Sequence, residues 1–131
     1  MSLEPAFLSV EEVTFLHDEQ LARFGGAAGI RDMGLLESAV AVPQASFGGE
    51  FLHKDLFSMA ADYAFHIAQN QAFVDGNKRT GLLSALVFLD LNGIGTSDPE
   101  GLLYQAMIDI AEKTIDKQDL ADLLRSLQSN E

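Results

Sequence analysis

The sequence predicts an all-α fold of about six helices arranged around a central buried pair, and three observations lead there. Apolar residues recur at three- and four-residue spacing along most of the chain, and no strand pattern competes with them. Two stretches, 55–70 and 77–92, are apolar almost all round, as a helix enclosed by other helices must be. Helix start and stop residues fall at the boundaries these patterns require.

Ser9-Val10-Glu11-Glu12 reads as a capping box, followed by Val10, Val13, Leu16, Leu21 and Phe24 as the apolar stripe of a first helix that Gly25-Gly26 stops. Asp32 caps a second helix carrying Leu35, Leu36, Ala39, Val40 and Val42. Pro43 ends it, having no N–H to donate and a ring that clashes with the preceding turn. From Gln44 to Lys54 no periodicity is sustained, and Gly48-Gly49 with the aromatics Phe47 and Phe51 marks a loop or flap. Its Phe residues either meet a partner or tuck into the core; the spacing does not decide. Asp55 opens a helix to about Asn70, with Leu56, Met59, Ala60, Tyr63, Ala64 and Ile67 on one side and Ala61, Phe65 and Ala68 on the other. Asn77 to Asn92 forms its buried partner, closed by Gly93 at a left-handed C′ position. Asp98-Pro99 supplies an N-cap and a proline at N1 for a helix through Leu102, Leu103, Met107 and Ile110, and Asp116 caps a last one through Leu120, Leu123, Leu124 and Leu127. With no internal repeat, linker or low-complexity tract, one domain over residues 1–131 is expected.

Composition narrows the function. At 47% hydrophobic and 21% charged residues the chain has enough apolar material for a core. It has no cysteine, so neither a disulfide framework nor a thiolate nucleophile or metal ligand is available, and a reducing cytoplasm is the expected setting. Met1 to Glu11 lacks the basic and apolar regions of a signal peptide, and the apolar stretches carry too many polar interruptions to span a bilayer. A net charge of −12 argues against any extended nucleic-acid surface, which needs clustered Lys and Arg. Against that background the single adjacent basic pair, Lys78-Arg79, needs a reason.

The first turn of a helix exposes unpaired N–H groups and the positive end of the macrodipole, so Asp and Glu belong there. Here the turn reads Asn77-Lys78-Arg79. Two cations at that end cost about 0.3–1 kcal/mol each when exposed, a cost that makes sense if an anion binds between them. Gly76 lets the backbone approach a ligand and aim its N–H groups into a nest, and the Asn77 amide can donate to a phosphate oxygen. Asp75 would repel that phosphate unless a Mg²⁺ bridged the two, which makes Asp75 the candidate metal ligand. The plain structural reading has Asp75 as an N-cap, Gly76 as turn chemistry and the two cations solvated. A Walker A loop is excluded, because no Gly-Lys-Ser/Thr and no preceding strand is present.

The segment Gln71-Ala72-Phe73-Val74-Asp75-Gly76-Asn77-Lys78-Arg79 resembles the core motif of the Fic/Doc family, H-x-F-x-[DE]-[GA]-N-[GK]-R, which lies between two central helices of an all-helical domain. The resemblance extends to His17-Asp18, Phe24-Gly25-Gly26, Gly29, Phe88-Leu89-Asp90-Leu91-Asn92-Gly93 and the Leu-rich tail, and Lys78 after the Asn matches the Doc type, the toxin of a toxin–antitoxin module. It implies an ATP- and Mg²⁺-dependent phosphotransferase acting on a threonine hydroxyl of the translation factor EF-Tu. It also implies a small Phd-like antitoxin whose disordered segment folds on to the toxin. Asp75 would hold Mg²⁺, Gly76 and Asn77 would line the phosphates, and Lys78 and Arg79 would clamp the charge that spreads during transfer. Members with glycine after the Asn transfer AMP, which gives an AMP transferase as one alternative. The motif histidine, which takes the proton of the attacking hydroxyl, is Gln71 here, and glutamine is no general base; loss of such a base costs about 10²–10⁴ in rate. A non-catalytic binding protein of the same fold is therefore the other alternative. His66 in the preceding helix and His53 in the flap are the remaining candidates for a base, each against the plain reading of a structural or surface histidine.

Overall fold

A computed structural model describes residues 4–53 and 55–129. Its helices are α1 (Val10–Phe24), α2 (Met33–Ala41), α3 (Leu56–Asn70), α4 (Asn77–Leu91), α5 (Leu102–Ala111) and α6 (Lys117–Ser126). Four of them begin where the sequence puts a cap. Ser9 Oγ accepts from Glu12 N at 3.1 Å while Glu12 returns a carboxylate oxygen to Ser9 N at 2.8 Å. Asp32, Asp55 and Asp116 accept from the N–H groups of Leu35, Ser58 and Asp119. Each such cap is worth about 0.5–2 kcal/mol.

The central pair is α3 and α4, joined by the loop 71–76, with α1, α2, α5 and α6 packed around them. The α3 face buries Met59, Ala60, Tyr63, Ala64 and Ile67, and the α4 face buries Gly81, Ser84, Ala85, Phe88 and Leu89. Small residues dominate for a steric reason. A Cβ on Gly81 would lie 2.6 Å from the Ala64 carbonyl oxygen, so the two backbones approach this closely only because residue 81 has none. Tyr63, fully buried, packs on Phe88 with ring centroids 5.1 Å apart and accepts a hydrogen bond from Leu8 N at 2.9 Å, which ties the segment before α1 to the core. Burial pushes its phenol up to about 12.

Five details differ from the sequence reading. The α5 helix starts at Leu102, after a left-handed Gly101 (φ 72°), rather than at Pro99; Asp98 still supplies the cap from outside the helix, accepting from Leu102 N at 2.8 Å and Leu103 N at 2.9 Å. The flap contains a short hairpin, β1 (Ser46–Phe47) with β2 (Glu50–Phe51), whose turn Gly48-Gly49 has positive φ at both residues, the geometry that suits the twist of paired strands. Phe47 is exposed, while Phe51 packs edge-on against Phe7 at 5.5 Å, so the two flap aromatics divide between solvent and core. A second short pair joins β3 (Gly95–Thr96) to β4 (Gln128–Ser129), fixing the chain after α6 to the exit of α4. Val42 and Pro43 form a 3-10 turn after α2, and Phe24 is 55% exposed instead of buried. Met1 to Leu3, part of the segment read for a signal peptide, and Lys54, the last residue of the expected flap, lie outside the described residues.

Candidate phosphate-binding site

The loop between α3 and α4 is held from two directions. Gln71 leaves α3 in the left-handed region (φ 49°, ψ 47°) and its carbonyl receives both Nε and Nη2 of Arg31. The segment 29–32 runs beside the loop as a rail: Arg31 N and Asp32 N donate to Ala72 O, Val74 N donates to Gly29 O at 3.0 Å, and Ile30 bridges Phe73. From the other side, buried His17 of α1 stacks face to face on Phe73 at 3.8 Å and its Nε2 donates to the Asp75 carbonyl at 2.7 Å.

Beyond this rail the backbone turns at Gly76 (φ 78°), and α4 begins with no side-chain cap, in contrast to α1, α2, α3 and α6. The exposed Asp75 carboxylate accepts from Gly76 N at 2.9 Å and from Ala27 N at 3.3 Å. Gly26 makes this possible, because a Cβ there would come within 2.9 Å of Asp75 Oδ2. The Arg79 guanidinium lies over two rings, 4.1 Å from the centroid of Phe24 and 4.9 Å from that of Tyr104. A guanidinium held on aromatic faces is oriented with little loss of its outward hydrogen-bonding capacity.

The candidate residues divide between two cavities. Asp75, Gly76 and Arg79 line one of about 240 Å³ together with Phe24, Gly25 and Gly26. Gln71 and Lys78 line another of about 630 Å³. Asn77 behaves differently from the reading that gave its side chain to a phosphate: its amide donates to Phe73 O and accepts from Phe73 N, both at 3.0 Å, so it clamps the loop and keeps one N–H proton in reserve. For a divalent cation the fit is that of one carboxylate. Asp75 retains lone pairs beyond its two backbone partners, and among the described residues no group of three or more acidic, histidine or cysteine side chains could hold a metal unaided. A Mg²⁺ here would take its remaining ligands from phosphate and water, as that ion commonly does.

Neither spare histidine joins the loop. His53 Nδ1 pairs with the buried Asp62 carboxylate at 3.2 Å, and His66 Nε2 meets Lys117 Nζ at 3.1 Å while that ammonium pairs with Asp62 at 2.8 Å. Burial first, and the Lys117 ammonium second, hold His66 below its ordinary range. The sequence reading did not single out His17, Arg31 or Tyr104 as site residues. For His17 a signal existed: with Val13 and Gln20 it forms the buried stripe of α1, and an ionisable residue in such a stripe has a specific partner.

The fold and site together define a small all-helical domain in which the loop between the two central helices leads into an uncapped, cation-bearing helix start. The chain belongs to the Fic/DOC family, whose sequence model matches residues 7–89. It is 39% identical to "Protein kinase doc" of Escherichia phage P1 over 121 residues, covering 92% of this chain and 94% of that protein. It is 46% identical to "Toxin Doc" of Mycolicibacterium smegmatis over 71 residues, 54% of this chain and 55% of that protein.

Proposed function

We propose that residues 1–131 form one domain, a Doc-type toxin that binds ATP with Mg²⁺ at the loop 73–79 and passes the γ-phosphoryl group to a hydroxyl of a translation factor, EF-Tu by resemblance. The observation that carries this reading is the start of α4: no side chain caps it, two cations stand in its first turn, and Asp75 sits beside them. The printed names of its relatives, a protein kinase and a toxin, support the same reading. A small Phd-like antitoxin is the expected partner and the cytoplasm the expected place of action, where such an acceptor is found.

In this reading the α4 N–H groups and Gly76 receive phosphate oxygens, Lys78 and Arg79 balance their charge, and Asp75 holds the metal. Bound Mg²⁺ supplies neutralisation of the phosphate charge. His17, Arg31 and Asn77 fix the loop so that these groups need no rearrangement. In the transfer, the acceptor oxygen bonds to the γ-phosphorus, the bond to ADP breaks and the hydroxyl proton is lost. Gln71 stands where the family's base stands and cannot take that proton, so the proton passes to solvent and transfer is slow by about 10²–10⁴. Gln71 equally favours a second reading, a Fic/Doc-fold binding protein that holds nucleotide and transfers nothing.

The test supplies EF-Tu, Mg²⁺ and ATP labelled separately at the α and γ positions, with the unaltered chain and a Gln71→His variant. The proposal expects γ-label on EF-Tu, faint with Gln71 and strong with histidine. Label from the α position means AMP transfer instead, and no label from either protein leaves the binding-protein reading.

A further inference from the structure

The fold treats the two cations of the loop differently. Lys78 is exposed and has no ion pair, hydrogen bond or ring contact among the described residues. Arg79 is half-buried, its guanidinium carbon 4.1 Å from the centroid of Phe24 and 4.9 Å from that of Tyr104. Phe24 is the last residue of α1 and Tyr104 lies in the first turn of α5, so neither ring belongs to the segment 71–79. Both rings keep much of their surface in solvent, 55% for Phe24 and 37% for Tyr104, and apolar burial therefore does not account for their place. In a chain with 20 acidic residues, Arg79 forms no ion pair or hydrogen bond among the described residues. Even the Asp75 carboxylate, which lines the same cavity, turns instead to Gly76 N and Ala27 N.

We propose that Phe24 and Tyr104 are positioning residues that hold the Arg79 guanidinium ready for an anion, an inference that rests on the phosphate reading of the loop. An aromatic face attracts a guanidinium through the negative charge of its ring system and uses none of the five N–H donors, which lie in the guanidinium plane. A carboxylate in the same place would take two of those donors and cancel the charge. An arginine with free rotamers loses them when it closes on a phosphate. One that already rests on rings from two helices has lost part of that freedom beforehand, and binding is tighter without any further contact. Lys78, a point charge on an unrestrained stem, has no such preorganisation. The Tyr104 hydroxyl has no hydrogen bond among the described residues, so Tyr104 serves here as a ring.

The test reads Arg79 and the ligand separately. In isotope-labelled protein the Arg79 Nε–H signal, assigned by its loss in Arg79→Ala, is expected to lie upfield of that of a free arginine through the ring currents of both aromatics. Tyr104→Leu and Phe24→Leu are each expected to return it part of the way. With Mg²⁺ and ATP as the probe, each leucine variant is expected to bind about three- to tenfold more weakly, whereas Tyr104→Phe and Phe24→Tyr, which keep the ring, stay within about twofold of the unaltered chain. In an Arg79→Ala background, Tyr104→Leu is expected to change binding by less than about twofold, because the ring acts through the guanidinium. An Arg79 signal that neither leucine variant moves, an ATP affinity that both leave unchanged, or equal weakening by Tyr104→Leu with and without Arg79 overturns the positioning role and leaves the phosphate loop standing. Failure of the unaltered chain to bind ATP overturns the loop reading, and the positioning role with it.

Discussion

Gln71 shows how one residue carries a conformational and a chemical problem at once. Its left-handed backbone costs a non-glycine residue about 1–2 kcal/mol relative to the right-handed region, a strain the Arg31 contact helps to hold. Gln71→Gly is therefore expected to raise stability by about 1 kcal/mol in urea unfolding, and an unchanged or lower midpoint would count against strain at this position. The motif around it was legible in the sequence because its residues are contiguous: a glycine turn, a carboxylate and two cations at a helix start carry their meaning within seven positions. What was not legible is the support. His17 acts on Asp75 across 58 residues, and the Asn77 amide closes on a residue four positions back instead of reaching outward. Only coordinates bring such partners together, although the buried Val13, His17, Gln20 stripe shows that α1 has a polar duty.

At the scale of elements, legibility followed the range of the forces involved. Four helix starts could be read because a capping side chain bonds its own first turn. The start of α5 was misplaced because Gly101 adopts a left-handed turn that lets Asp98 cap from three residues further out. The closeness of α3 and α4 could not be read either, since apolar periodicity says that two helices meet and not how near their axes come. Gly81 sets that distance. Adding a methyl group forces the helices apart against the Ala64 carbonyl, so Gly81→Ala is expected to destabilise by about 1–3 kcal/mol despite alanine's better helix propensity. A neutral or stabilising effect in thermal unfolding would show that the pair can separate freely.

Across the whole molecule, several of the few cations of this strongly acidic chain have defined partners among the described residues, Arg125 with Asp55 and Asp122 among them. Away from the loop, a buried cluster has Asp62 of α3 receiving His53 of the flap and Lys117 of α6. It joins three parts of the fold, and it has a pH consequence through His66. This histidine titrates below its ordinary 6.5 in the native state, so between those two values the unfolded chain binds a proton that the native chain does not. Stability is therefore expected to be full above about pH 6.5 and to fall as pH drops below it, with His66→Gln flattening that slope in urea titrations. An identical slope in the variant would assign the acid sensitivity elsewhere. Among the described residues no helix is long and apolar enough to cross a membrane.

The central claim is that the start of α4 holds a polyphosphate with a divalent cation, and calorimetry tests it most directly. ATP would be titrated into the unaltered chain with and without Mg²⁺, and into Asp75→Asn and Arg79→Ala. The account predicts Mg²⁺-dependent binding that weakens at least tenfold in each variant, with the Asp75 change removing the dependence on Mg²⁺. Absence of binding to the unaltered chain, or binding that neither substitution alters, would contradict it.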